Sequence, residues 1–271
     1  EEVTDMSAEG AVPAPEDIDA LLQQSVQYAA HTRPRSELLR AARRFSRNGL
    51  AMAGLVTVAL VLARDHGVLT LVDGAQAFGV FDVKVRQIGC DFFTSNGHKW
   101  LGGPKGTGFF WSARERIGDL LPAHVGAGSA ASFSLEDGLI LLPTASRLEF
   151  GTAASGLQVG VGCALAWFDR LGWDWIESRT RELSAYLKQE LAKVAGVMVK
   201  TPLEWKLSSG LTTFEVRDAD EHALNRYIYE QCRAVTVVRN PRQIRVSTAY
   251  YNTHDEIDRL VSGVRQFLTR S

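Results

Sequence analysis

Lys99 stands in the stretch TSNGHKWLGGPKGTGFFW (Thr94–Trp111), beside His98, among glycines and just ahead of a return to apolar residues. Asp73 closes an earlier compact apolar run, GVLTLVD (Gly67–Asp73). Each falls at the carboxyl end of a segment that reads as a short buried strand, and in open α/β sheets that edge is where ligands bind. A lone lysine beside a turn is usually solvated. A lysine facing an aspartate across a sheet edge can do more, because the amine condenses with an aldehyde while the carboxylate keeps a pyridine nitrogen protonated. Pyridoxal 5'-phosphate needs both groups. Asn96, His98 and the amides of the glycine turn could hold its phosphate oxygens.

Other uses of the glycines fail on spacing. GGPKGTG has no Gly-Lys-Ser/Thr after a Gly-x-x-x-x interval, so it is not a phosphate loop of the nucleotide-hydrolase type. GAGSAA (Gly126–Ala131) half matches a dinucleotide fingerprint, but no apolar strand precedes it and it reads as a flexible loop. Cys90, Cys163 and Cys232 are too few and too scattered for a disulfide framework or a zinc site, and read as buried free thiols of a cytoplasmic protein.

The elements that must position Lys99 and Asp73 belong to a chain of 271 residues, 45% hydrophobic and 23% charged, with net charge −1. Such a balance gives a real core and no electrostatic footprint for nucleic acid or an anionic membrane. The apolar run Leu50–Ala63 is shorter than the ~18 residues of a spanning helix and reads as a core helix. Pro15, Glu16 and Asp17 start a short helix. CDFFTSN (Cys90–Asn96) and GTGFFW (Gly106–Trp111) are two more strands. Helical periodicity runs through SGLQVGVGCALAWFDRLG and WIESRTRELSAYLKQELAKVAG, the latter ended by Gly196. Beyond it VMVK, LTTFEV, AVTVV and QIRVSTAY read as strands, with helices at EHALNRYIYEQC and HDEIDRLVSGVRQFL. The class is therefore α/β, with a mainly parallel large domain and a smaller C-terminal α+β domain. The expected division is 1–155 for a partial large domain (33–62 atypical), 156–195 for linking helices and 196–271 for the small domain.

LVDGAQAFG followed by DFFTSNGHKWLGGPKGTGFFW resembles the class V aminotransferases of fold type I, relatives of cysteine desulfurases and isopenicillin N epimerase. RLEFGT (Arg147–Thr152) and IRVSTAYYNTHDEID (Ile244–Asp258) match the same family in the same order. The resemblance implies Lys99 as the Schiff-base lysine, Asp73 as the pyridinium partner and Gln76 as a hydrogen-bond partner of the ring's phenolic oxygen. It places Asn96 (where desulfurases often have Ser) and His98 around the cofactor, and has Thr152 reach the phosphate of a neighbouring subunit, which implies a homodimer with a shared site. Arg245 would clamp a substrate carboxylate, and Arg147 with Glu149 would form a structural pair.

Two departures accompany the resemblance. The family's earlier phosphate turn and its ring-stacking aromatic or histidine are not visible, and the opening EEVTDMSAEG reads as if the chain begins inside a domain. In addition, TRPRSELLRAARRFSRNG places six arginines (Arg33, Arg35, Arg40, Arg43, Arg44 and Arg47) where the family has an apolar strand, which suggests a local sequence disruption. A solvated helix face is the ordinary reading of such a run. A desulfurase also needs a cysteine shortly before the RVS strand, and AVTVVRNPRQIRVS has none. Cys232, in the preceding helix, reads as a buried apolar residue. The expected chemistry is therefore loss of an amino acid's Cα proton to Lys99, with an epimerase-like or aminotransferase-like outcome. A C–S lyase or desulfurase-like outcome and a non-catalytic remnant stand as alternatives.

Overall fold

The computed structural model of the chain describes residues 58–217, 219–239 and 242–270. Contacts divide the chain into two units, Glu1–Asn48 and Gly49–Ser271. The helix expected after Pro15 and the arginine run Arg33–Arg47 lie outside the described residues. Residues 58–65 (α1) are helical, but Val58, Val61 and Leu62 are each about half exposed and belong to neither hydrophobic centre of the molecule. The expectation of a core helix is corrected for this part of the run.

The first sheet has the order β1 (Leu71–Asp73), β2 (Phe92–Asn96), β3 (Gly108–Ser112). β1 and β2 are parallel, joined by a crossing that includes the single turn α2 (Val85–Ile88), and β3 returns antiparallel to β2. β2 is the buried strand, with Phe92, Phe93 and Ser95 enclosed. β1 differs from expectation: it is three residues long and Leu71 is 61% exposed. Among the described residues it has one strand neighbour, so its other edge and much of its side-chain surface are uncovered. Asp91 ties the two strands together. Its carboxylate accepts from the Thr70 N–H and Oγ1, both at 2.8 Å, and from Arg116 Nε at 2.7 Å. Partial burial alone would raise the Asp91 carboxyl, but these hydrogen bonds outweigh it and hold it below the usual carboxylate range.

GAGSAA is not a flexible loop. Ser129 is fully buried, its Oγ accepts from the Gly126 N–H at 2.9 Å, and Ala130 opens the hairpin of β4 (Ala130–Ser134) and β5 (Gly138–Leu141). The sequence reading passed over this hairpin although Ser132-Phe133-Ser134-Leu135 alternates ahead of Asp137-Gly138, and its apolar residues Phe133 and Leu135 are exposed.

Gly172, with φ 86°, breaks one long helical pattern into α3 (Ser155–Leu171) and α4 (Trp173–Ala192). Phe168 of α3 and Ile176 of α4 close over Leu101 to make a small hydrophobic centre, with Phe78, Trp173 and Tyr250 around it. Cys163 is exposed on α3, a correction to the expectation of three buried thiols: Phe168 is the one buried residue of that helix.

The larger centre lies in the C-terminal part. The antiparallel sheet runs β6 (Val197–Val199), β7 (Leu211–Val216), β9 (Gln243–Ser247), β8 (Val237–Arg239), packed with α5 (Glu221–Cys232) and α6 (His254–Arg270). Phe214, Ile244, Leu224, Ile228 and Val264 are fully enclosed there, and Leu183, Leu187 and Leu191 of α4 join them. α4 stops at Ala192 rather than at Gly196. Its last turn tightens, with Lys193 and Val194 bonding three residues back to Glu190 and Leu191, and Gly196 (φ 83°) then turns the chain into β6.

Candidate active site

Asp73 is the last residue of β1 and stands in register with Thr94 on β2. The Gly74 N–H continues the ladder to the Thr94 carbonyl at 2.7 Å, and Ser95 Oγ donates to the Gly74 carbonyl at 3.1 Å. Position 74 must be glycine, because a Cβ there would run into the Phe93 ring. Asp73 Oδ1 accepts from the Ala75 N–H at 2.9 Å. Its other oxygen has no hydrogen-bond partner among the described residues.

Beyond β2 the glycines shape the loop that carries Lys99. The Gly97 N–H donates to Thr107 O at 3.0 Å, Gly103 N–H to Gly97 O at 2.8 Å, and Gly102 N–H to Lys99 O at 3.1 Å. Gly102 and Gly106, at φ 71° and 82°, allow the tight return. Lys99 is exposed at the tip, and among the described residues its ammonium makes no ion pair or hydrogen bond.

A cavity of about 290 Å³ opens where this loop meets β9, lined by Gln76, Lys99, Trp100, Arg245, Ser247, Ala249 and Tyr251. Strand periodicity delivers Arg245. Ile244 and Val246 turn into the core, so Gln243, Arg245 and Ser247 take the opposite face. Among the described residues, Arg245 Nε is buried and has no hydrogen-bond partner. Burial, and then the charge of Arg239, lower the basicity of its guanidinium. A desolvated cation with an unused donor and a second cation nearby is a place for an anion.

Gln76 is held from one end, its Oε1 accepting from the Trp100 indole N–H at 2.9 Å. The remaining expected residues lie apart. Asn96 and His98 line a separate, shallow groove with Thr94, Thr107 and Phe110. His98 Nδ1 sits 3.0 Å from the Thr107 carbonyl, which can only accept, so that nitrogen carries the hydrogen. Thr152 is exposed just ahead of α3, and neither it nor Asp73 lines either cavity. Arg147 and Glu149 form no ion pair: Arg147 Nη1 donates to the Ile117 carbonyl at 2.6 Å, and Glu149 is exposed. The short helical turn Ala145–Leu148 ends between them, which separates the two side chains. Trp100, Ser247 and Tyr251 were not singled out by sequence reasoning. The adjacency of Trp100 to Lys99 was the signal available.

The fold is that of the fold type I proteins. The profile of the family Aminotransferase class-V matches residues 53–260, and the chain belongs to this family. A probable cysteine desulfurase of Xylella fastidiosa is 31% identical over 74% of this chain and 50% of its own length. The apo cysteine desulfurase of Thermococcus onnurineus NA1 shares the fold with TM-score 0.72, at 24% identity over 78% of this chain and 55% of that one. C-DES, solved with glycine covalently linked to its PLP cofactor, has TM-score 0.66 and 24% identity over 73% of this chain and 51% of that one. The chain spans about half the length of the curated relatives it matches. Among the described residues no helix is long and apolar enough to cross a membrane, and no cluster of His, Cys, Asp or Glu could hold a metal ion.

Proposed function

We propose that the cavity between the Lys99 loop and β9 serves a pyridoxal-phosphate-dependent enzyme acting on an α-amino acid. The observation that carries this reading is the union, in one cavity, of an unpaired lysine with a desolvated arginine whose Nε has no partner. The residues present fit the cofactor and its substrate: an amine, an amide donor and an anion site share one wall. When bound, the cofactor supplies an aldehyde carbon for amines and a pyridinium ring that draws electrons from the substrate's Cα.

Lys99 would hold the cofactor through its ε-amine, and the same amine would take and return a proton at the substrate's Cα. Asp73, at the neighbouring strand end and outside the cavity's lining, would keep a proton on the ring nitrogen. The Gln76 carboxamide donates to the phenolic oxygen, and Arg245 holds the substrate carboxylate with charge-assisted hydrogen bonds. Asn96 and His98, which line the separate groove, would hold the cofactor's phosphate side, and Thr152 would reach it from a second subunit of a homodimer. Return of the proton to the other face of Cα would give epimerisation, and amino transfer is the other outcome the cofactor would allow.

C–S cleavage is the second reading, favoured by the names of the relatives. Cys90 and Cys232 are buried with thiols pushed up by that burial, and no cysteine lines the cavity. This reading therefore takes the lyase form, with sulfur released rather than carried on an enzyme cysteine. The test is to add amino acids to protein supplied with the cofactor, following absorbance and loss of the Cα proton into deuterated water. Arg245→Gln is expected to weaken amino-acid binding roughly 10- to 100-fold, the range for one lost charge-assisted contact. Wild type that exchanges no Cα proton from any amino acid contradicts the proposal. Sulfide release from cysteine or cystine selects the second reading.

A further inference from the structure

We propose that Trp100 is the positioning residue of this site, fixing the Gln76 carboxamide so that its Nε2 donor is the end free to meet a ligand. The inference rests on the cofactor reading for the identity of that ligand and on geometry for the rest. An indole N–H can only donate, so the amide atom 2.9 Å from Trp100 Nε1 is the oxygen. With Oε1 turned to the indole, the two-hydrogen donor Nε2 is the end of the amide left facing away from Trp100. Unrestrained, an exposed glutamine amide presents oxygen and nitrogen about equally, and one half of that population would repel an anionic ring oxygen.

Two glycines hold the indole where it can do this. At Gly79, φ 92°, a Cβ would lie 2.6 Å from Leu101 N and 2.9 Å from Trp100 Cβ, so the turn after Gln76 abuts the Trp100–Leu101 backbone. At Gly210 a Cβ would lie 2.8 and 2.9 Å from Trp100 Cη2 and Cζ3, so the far end of the ring is seated on bare backbone of the C-terminal sheet. Gly210 is tied in turn to β9's exit, its carbonyl accepting from the Thr248 N–H at 2.8 Å and from Thr248 Oγ1 at 3.1 Å. The same tryptophan thus touches the Gln76 turn and Gly210, whose carbonyl is bonded to Thr248 just past the strand of Arg245. Gln76 and Arg245 line one cavity.

The experiment uses full-length protein supplied with pyridoxal phosphate, in wild type, Trp100→Phe, Gln76→Leu and the double variant. The first readout is the pH midpoint of the cofactor's visible band. A donor on the ring oxygen favours its anionic form and weakens its grip on the neighbouring imine proton, so loss of the donor raises the midpoint. Gln76→Leu is expected to raise it, Trp100→Phe to raise it by a smaller amount, and the double variant to match Gln76→Leu. The second readout needs no cofactor: in protein with nitrogen-15 tryptophan, Gln76→Leu moves the indole resonance that Trp100→Phe removes, and speeds its hydrogen exchange. Additive midpoint shifts, or a midpoint that Trp100→Phe leaves in place while Gln76→Leu moves it, overturn the positioning role. An indole resonance indifferent to Gln76→Leu overturns it as well. A wild type with no visible band and a Gln76-dependent indole resonance supports the pair while sinking the cofactor reading.

Discussion

A single buried side chain in the C-terminal layer carries a pH dependence of its own. Lys188 is 1% exposed, its ammonium donates to Ser208 Oγ at 2.8 Å, and no carboxylate pairs with it among the described residues. Ser208 Oγ is itself tied to the Glu204 carbonyl at 3.0 Å. Burial lowers the Lys188 pKa to about 8, against an ordinary value of about 10.4. Between those two values the unfolded chain holds the extra proton, so folded stability rises with pH across that window, by at most about 1.4 kcal/mol per pH unit. Below about pH 8 both states are protonated and this group adds no slope. Urea midpoints of wild type and Lys188→Met, compared from pH 7 to 10, are expected to converge toward or cross in favour of wild type as pH rises. A difference that stays constant across the window contradicts the burial argument. At the same scale, Lys99 and Asp73 were singled out by residue type and place, and Gln76 and Arg245 only through the family resemblance. The partners that orient them were not, because a tryptophan's one donor or an arginine's unused Nε is a matter of distance, not of sequence spacing.

At the scale of elements, α5 and α6 meet so closely that a glycine is required between them. A Cβ at Gly263 would overlap Cys232 Sγ. Gly→Ala inside a helix ordinarily gains about 1 kcal/mol of propensity, while overpacking a well-filled core costs about 1–3 kcal/mol. The steric term wins here because the obstructing atom is short, buried and fixed to a helix. Gly263→Ala is expected to lower the thermal midpoint, and combining it with Cys232→Ala to be less damaging than the sum of the two single changes. Simple additivity of the three variants contradicts the contact. The helices α5 and α6 fall on the segments read as helical, and the Asp220 side chain caps α5 through the His222 and Ala223 N–H groups, a signal that reading left unused. The β4–β5 hairpin was missed although Ser132-Phe133-Ser134-Leu135 alternates and Asp137-Gly138 is a turn signal; what sequence could not tell is that its apolar residues face outward rather than into a core. The extent of β1 was overread for a related reason: apolar sequence signals burial only when something covers it, and Leu71 has one strand beside it.

The whole molecule joins two hydrophobic centres of unequal size, one around Leu101 and Phe168, the other filling the C-terminal layer. Between them the loop after β2 and the face of β9 form the cavity that contains Lys99 and Arg245. These residues are far apart in the chain, so their meeting was implied by resemblance and not by any local pattern. The α/β order, the later α+β layer and family membership were all written in the motifs from Gly67 onward, which fall within the matched span 53–260. The central claim is that the Lys99 amine binds an aldehyde cofactor. Its most direct measurement is borohydride reduction of protein incubated with pyridoxal phosphate, followed by peptide mass mapping. The account predicts one stoichiometric cofactor adduct on Lys99, absent from Lys99→Ala; label scattered over surface lysines, with the same yield in Lys99→Ala, would contradict it.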